Sequence, residues 1–306
     1  MIESVPNVSE GQRPDVVDAL IAAVRRIPRT LVLNTTADPS HNRAVFTLAG
    51  RGNDVVESLV QLVDEAVARI DLRTHRGVHP RMGAVDVVPF IPLDGARLAD
   101  CVDLSHRFAS IVAGRFDLPV FLYEASATAP HRRRLEDVRR GQFEGLERKL
   151  ASPGWLPDYG PSRAHPTAGA LITGARMPLI AFNVDLTTSD VEVARQIAAR
   201  IRERDGGLPC VKALGLSLPH RGRAQVSMNL TDYTTTGVET VFDAVEREAR
   251  TFGAAVFESE LIGLIPAAAL EGTSAERLKL TGFSASRILE HRIEELRREG
   301  GPGTLA

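Results

Sequence analysis

Twice along its 306 residues the chain passes through the same order of hydrophobic periodicities, and this repeat constrains its fold more than any other feature. Residues 1–6 read as a short strand, and 13–27 as a helix in which Val16, Val17, Leu20, Ile21, Val24 and Ile27 form one apolar stripe. Strands follow at 31–33 and 44–49, separated by a turn-rich run at 37–42. Asn53 is placed to cap the next helix, whose apolar face holds Val56, Leu59, Val63, Val67 and Ile70, and 84–91 reads as a strand. The second half repeats the order. Residues 178–186 alternate, with Ile180, Phe182, Val184 and Leu186 on one side and Ala181, Asn183 and Asp185 on the other. Ser189 with Glu192 reads as a capping box opening a helix to about residue 204. Strands at 210–218 and 223–232 come next, then a second capping box at Thr236 and Glu239, a helix to about 252 and a strand at 254–259. A β-α-β-β-α-β order is the ferredoxin-like one. The expectation is an α+β protein of two α/β-sandwich subdomains, 1–178 and 179–306, each ferredoxin-like (βαββαβ), sheets facing each other with helices outside.

Between the repeats lie a helix at 97–116, a strand at 119–124, a basic helical stretch after Pro130 and a Gly- and Pro-rich loop at 152–169; the end, 300–304, is expected to fray. Hydrophobic residues are 43% and charged residues 25%, ordinary globular usage that excludes disordered and fibrous classes. A net charge of −2 gives no global field toward nucleic acid or an anionic membrane. Only Lys149, Lys212 and Lys279 are lysines, so nearly all 37 basic residues are arginines, a bias that suits an anionic ligand and is equally the product of GC-rich coding. Cys101 and Cys210 belong to no metal-ligand spacing, which argues against a zinc ribbon or disulfide scaffold. The N-terminus has neither a basic nor an apolar leader region, and no apolar run approaches the ~18 residues of a membrane span, so a cytoplasmic location is expected.

The densest polar cluster is HRGVHPRMG at 75–83. His75 and His79, four apart, would share one face of a helix, but Gly77 and Pro80 interrupt a regular helix and no carboxylate follows at ligand spacing, so no metal is expected. The two histidines are then either uncommitted loop residues or an imidazole held ahead of a buried strand to move protons near neutral pH. On the strand 224–231, Val226, Met228 and Leu230 face one side while Gln225, Ser227, Asn229 and Thr231 face the other. That polar row either reads the donors and acceptors of a heterocycle or is a solvated sheet face. The loop 158–169 mixes small residues with one aromatic, one Arg and one His, a composition that admits a flat ligand and that plain connectors share. His131, Arg132, Arg133 and Arg134 with Arg139 and Arg140 read first as a solvated helix face and only second as a dock for an anionic tail or RNA. No phosphate-binding glycine loop, HExxH or GxSxG motif occurs, which removes nucleotide-dependent and serine-hydrolase chemistry from first place.

Taken in order, the strings VPNVSEG (5–11), DPSHNR (38–43), HPRMGA (79–84) with DVVPFIP (86–92), VRRG (138–141), PDYGP (157–161), GAR (174–176), LIAFN (179–183), AQVSMNL (224–230) and GLIP (263–266) resemble the formiminotransferase family. The likeness runs from residue 1 to about 270 and covers the transferase part of formimidoyltransferase-cyclodeaminase, so only the transferase activity is implied. The family moves a formimidoyl group between N5 of tetrahydrofolate and the amino group of glutamate. The resemblance implies tetrahydrofolate as co-substrate, an amino-acid substrate, a folate cleft between two subdomains, a homodimer and a histidine acid/base at His79. It assigns folate contact to Gly160, Pro161, Ser162, Arg163, Ala164, His165, Pro166, Thr167, Ala168 and Gly169. Asn7, Asn42, Arg43, Arg81, Asn183, Gln225, Ser227 and Asn229 are candidates to line the cleft. No metal, nucleic acid or membrane partner is implied.

Some positions depart from the family's pattern. Val78 stands where Glu is common, and in Asn34-Thr35-Thr36 the first position commonly holds Asp and the third His or Asp. Lost ionisable groups change which ammonium or carboxylate a site tolerates. The alternatives are transfer to a different amine, such as glycine or a specialised metabolite, and a folate-binding paralogue without turnover.

Overall fold

The computed structural model describes residues 1–39, 41–77 and 79–299. The chain divides into two compact units, Met1–Arg176 with the chain from Leu296 on, and Met177–Glu295. The segment expected to fray, 300–304, lies outside the described residues.

In the first unit, β1 (Ile2–Ser4) and β2 (Asn7–Val8) form one track interrupted at Pro6. Proline has no N–H for the ladder. Its carbonyl still accepts from the Phe46 N–H at 3.1 Å, so the track resumes beyond it. Then come α1 (Pro14–Val24), the hairpin β3 (Thr30–Asp38) and β4 (Arg43–Gly50), α2 (Gly52–Arg69) and β5 (Val85–Pro92). The β1/β2 track runs antiparallel between β4 and β5, and β3 flanks β4. This is the ferredoxin-like order. α3 (Leu98–Phe116), β6 (Val120–Glu124) and β7 (Leu171–Ala175) extend the sheet, β7 pairing parallel with β5 and β6 parallel with β7.

Two apolar layers sandwich this sheet. Leu20, Leu59 and Phe108 of the three helices pack with Phe46 and Phe90 on one side. On the other, Met82, Val87, Phe121 and Tyr123 pack with Val138 of α4 (Leu135–Arg139) and Leu146 and Leu150 of α5 (Leu146–Leu150). β5 is therefore buried on both faces from 85 to 91. Each large side chain so buried contributes about 1.5–3 kcal/mol.

The second unit holds β8 (Ile180–Leu186), α6 (Val191–Ile201), β9 (Val211–Leu218), β10 (Arg223–Leu230), α7 (Val238–Thr251) and β11 (Val256–Ile262). Its sheet order, β11-β8-β10-β9, is the antiparallel ferredoxin-like arrangement that the repeat predicts. Ile180, Phe182, Val184 and Leu186 pack with Val226, Met228 and Leu230 against Ile197 of α6 and Phe242 of α7. A last helix, α8, spans Leu289–Glu299.

Local details differ from the sequence reading. Asp190, one residue after Ser189, caps α6 by accepting the Glu192 N–H at 2.9 Å. α7 starts after Gly237, and Thr236 donates its hydroxyl to the Pro209 carbonyl at 2.7 Å instead of capping. Asn53 lies inside the first turn of α2, where its Oδ1 accepts from Arg107 Nη1 at 2.6 Å. The basic stretch after Pro130 is not a continuous solvated helix. It breaks into a single 3-10 turn and the five-residue α4, because Arg132 and Arg139 turn inward to carboxylates. β7 and α8 had no reading in the sequence; the first is too short and small-residued, the second too thinly striped, with only Leu289 and Ile293 buried.

Candidate active site

Asp86 is a charged residue at the second position of β5, a strand buried from 85 to 91. Across the β2–β5 pairing Asn7 sits opposite Val87 but Val8 opposite Val85, so Asp86 is the extra residue of a bulge. A bulge re-aims one side chain out of the alternation. The Asp86 carboxylate, fully buried, accepts from Arg43 Nη1 at 3.1 Å and the Met82 N–H at 2.7 Å, and is ion-paired with Arg139 Nη2 at 2.7 Å. Burial alone would raise its pKa; Arg139, Arg43 and the Met82 N–H outweigh that and hold it below the usual carboxylate range. Burial draws the Arg43 guanidinium down to about 10, against the opposing pull of Asp86, so it stays charged at neutral pH. Arg43 Nε donates to Asn7 Oδ1 at 3.1 Å. Two guanidiniums on one carboxylate leave a net positive charge, and the buried Arg139 Nε has no hydrogen-bond partner among the described residues.

That positive charge acts on His79. Its Nδ1 lies 2.7 Å from the Pro80 carbonyl, which can only accept, so Nδ1 carries the proton and Nε2 the lone pair. Burial first, then the charges of Arg43 and Arg139, lower its pKa to about 4. The imidazole is therefore neutral at pH 7 with Nε2 available as a base. His75, by contrast, is committed. Its Nδ1 accepts from Arg81 Nε at 3.2 Å, its Nε2 donates to the Asn42 carbonyl at 2.9 Å, and burial lowers its pKa. Arg81 closes the arrangement with a two-pronged pair to Glu144 at 2.8 and 2.7 Å.

The β3–β4 turn is docked onto the His79 loop. Asn42, in left-handed backbone with φ of 48°, accepts the Gly11 N–H at 2.9 Å and donates to the Arg76 carbonyl at 2.9 Å. A side chain at Gly77 would run into the His41 carbonyl, which is why glycine stands there. The docking brings the His41 ring to 6.2 Å from the His79 ring, centroid to centroid, edge to face. Val78 lies outside the described residues; Thr36 sits in β3 opposite Val45, and Asn34 opposite Thr47.

The segment 160–169 splits in two. Its second half is stitched beside the His79 loop: Leu72 N–H donates to the Thr167 carbonyl at 2.8 Å and Ala84 N–H to the Ala168 carbonyl at 2.9 Å. His165 folds back on this half, its Nδ1 accepting the Ala168 N–H at 3.0 Å. Gly169 has a φ of 69°, and any side chain there would meet the Met82 carbonyl. The first half lies elsewhere on the unit, with Gly160 against the Leu118 carbonyl, Pro161 and Ser162 beside it, and Arg163 paired with Asp117.

Asn7, Asn42, Arg43, Arg81 and His79 thus converge within the first unit. Asn183, Gln225, Ser227 and Asn229 belong to the second unit's sheet, where Ser227 pairs with Asn183 and Asn229 with Ala181. Their row is not neutral: Gln225 donates to Asp185 at 2.7 Å and Glu260 at 3.2 Å, and Asn183 to Glu260 at 3.1 Å. Sequence reasoning gave no role to Asp38, His41 or Asp86, and read Arg139 only as part of a basic patch. Asp86 had a signal in the lone acid of an apolar strand, since such residues are almost never fully buried unless paired.

The profile described as "Formiminotransferase domain, N-terminal subdomain" matches residues 1–176, and that described as "Formiminotransferase domain" matches 181–279. The chain belongs to the formiminotransferase-domain family. It is 44% identical over 294 residues to the glutamate formimidoyltransferase of Streptococcus pyogenes serotype M1, covering 96% of this chain and 98% of that protein. With the glutamate formimidoyltransferase of Thermoplasma acidophilum the identity is 38% over 297 residues, at the same coverage of 96% and 98%. With the formimidoyltransferase-cyclodeaminase of Rattus norvegicus it is 40% over 281 residues, spanning 90% of this chain and 52% of that protein.

Proposed function

We propose that this protein is a glutamate formimidoyltransferase, a one-carbon transferase that moves the formimidoyl group of N-formimidoyl-L-glutamate to N5 of tetrahydrofolate, giving 5-formimidoyltetrahydrofolate and L-glutamate. The observation that carries the reading is the end-to-end likeness to proteins of that name, 96% of the chain at 44% identity. The site has the matching chemistry. N5 attacks the amidine carbon to give a tetrahedral centre bonded to three nitrogens. Collapse toward product needs the attacking nitrogen deprotonated and the departing one protonated, and His79 Nε2, neutral and with a free lone pair, takes the first proton. Arg139, with its unpartnered Nε, and Arg43 supply positive charge for a substrate carboxylate. Such an anion would raise the pKa of His79 and so strengthen it as a base once substrate is bound.

In this reading residues 160–169 hold the folate, and the second half of the segment, bonded to the strand entry at 82–84, sets the folate near His79. Asn7, Asn42, Arg43 and Arg81 shape the amino-acid side of the site, and Asn183, Gln225, Ser227 and Asn229 are candidates for folate contact by the family resemblance alone. The subdomains run 1–178 and 179–306. The protein works as a cytoplasmic homodimer in histidine degradation; among the described residues no helix is long and apolar enough to cross a membrane. Thr36 and Val78 favour one second reading, a different amine acceptor.

The test is a transfer assay with tetrahydrofolate and either N-formimidoylglutamate or N-formimidoylglycine, read as the methenyl-folate chromophore formed on acid treatment. Signal from the glutamate compound is expected. Signal only from glycine replaces the acceptor, and folate-dependent thermal stabilisation without either signal identifies a binding protein lacking turnover.

A further inference from the structure

A single histidine can shuttle both protons of the proposed reaction, yet the structure holds a second imidazole beside the first. His41 sits at the tip of the β3–β4 turn, its side chain 48% exposed. Asp38 orients it twice over: Oδ2 lies 3.0 Å from His41 Nδ1, and Oδ1 accepts the His41 N–H at 2.8 Å. A carboxylate only accepts, so Nδ1 bears a proton and Nε2 is the ring's free nitrogen. The turn is fixed in place by Asn42 and by the tight passage of Gly77 under the His41 carbonyl. Two imidazoles, each with Nδ1 committed and Nε2 without a partner among the described residues, thus lie 6.2 Å apart, centroid to centroid. Rings this close both lie within reach of the nitrogens of a single carbon centre bound beside them.

We propose that His41, positioned by Asp38, is a second catalytic residue, the acid that protonates the departing amine while His79 deprotonates the attacking one. The inference rests on the transferase reading above. In the forward direction N5 forms its bond to the amidinium carbon and the C=N electron pair moves onto nitrogen. His79 Nε2 takes the N5 proton, leaving a neutral tetrahedral centre. His41, entering the step as the imidazolium with its Nδ1–H held by Asp38, gives its Nε2 proton to the glutamate nitrogen, the C–N bond to that nitrogen breaks with its electron pair staying on nitrogen, and the amidinium re-forms on N5. One imidazole has gained a proton and the other has lost one. Transfer between the adjacent rings, directly or through solvent, restores both, and in the reverse reaction the roles exchange. The groups facing this pair are Asp38 on His41, and Arg43, Arg139 and Asp86 around His79.

The experiment compares the wild type, His41→Asn, Asp38→Asn and His79→Ala in the same transfer assay, with full pH profiles of kcat and with added imidazole. His41→Asn is expected to lower kcat by about 100-fold, the scale of a lost general acid, with KM for both substrates little changed and the alkaline limb of the profile abolished. Asp38→Asn should shift that limb and lower kcat less. Added imidazole should restore part of the His41→Asn rate. Full activity of His41→Asn with an unaltered pH profile overturns the proposal, as does a loss confined to KM. Absence of transfer by the wild type itself would instead overturn the underlying transferase reading, so the two failures are distinguishable.

Discussion

His79 owes its character to neighbours far away in sequence. Its own loop contributes the Pro80 carbonyl that fixes the tautomer; Arg43 comes from β4 and Arg139 from α4, and both are anchored by Asp86. The folded pKa of about 4 lies below the 6.5 of a free imidazole, so between those values the unfolded chain binds the extra proton and the folded chain does not. Stability contributed by this residue is therefore fully present above pH 6.5 and falls as pH drops toward 4. NMR titration of the free protein should place the His79 midpoint well under 6.5. Arg139→Gln, which removes one of the two charges, should move it upward; a midpoint that stays put would mean that Arg139 has no part in setting it. None of this was visible along the sequence, where His79 was one of two loop histidines. The order of motifs marked the residue, while the charges that tune it come together only through β5 and its bulge.

At the level of elements, the sequence was most legible where periodicity and burial coincide. β8 and β10 alternate as read because one face packs on α6 and α7. Ends were less legible, since capping is a contest among adjacent polar residues decided by backbone geometry. Ser189 fits the capping-box spacing, yet Asp190 makes the bond. Asp190→Ala should accordingly cost about 1 kcal/mol and Ser189→Ala little, by chemical denaturation; equal costs would contradict the assignment. In the 131–140 stretch, where His131, Arg133, Arg134 and Arg140 are exposed as read, Arg132 and Arg139 depart for a related reason. Charge runs normally face solvent, but Arg132 pairs with Asp158 and Arg139 with Asp86, both partners being distant in sequence. Short β7, which bridges β5 and β6, depends on parallel partners that local pattern cannot reveal.

For the molecule as a whole, the duplicated β-α-β-β-α-β order was legible because each copy closes its own sheet and core. Function was legible through motif order, not composition, and end-to-end likeness to glutamate formimidoyltransferases carries the same conclusion. What neither supplies is the division of labour within the site, which rests on Nε2 of His79 acting as the base. The most direct measurement is single-turnover formimidoyl transfer to tetrahydrofolate by the wild type and by His79→Ala, with folate affinity measured in parallel. The account predicts a rate at least about 100-fold lower in the variant and an affinity within a few-fold of wild type. A variant that transfers at near the wild-type rate would contradict it.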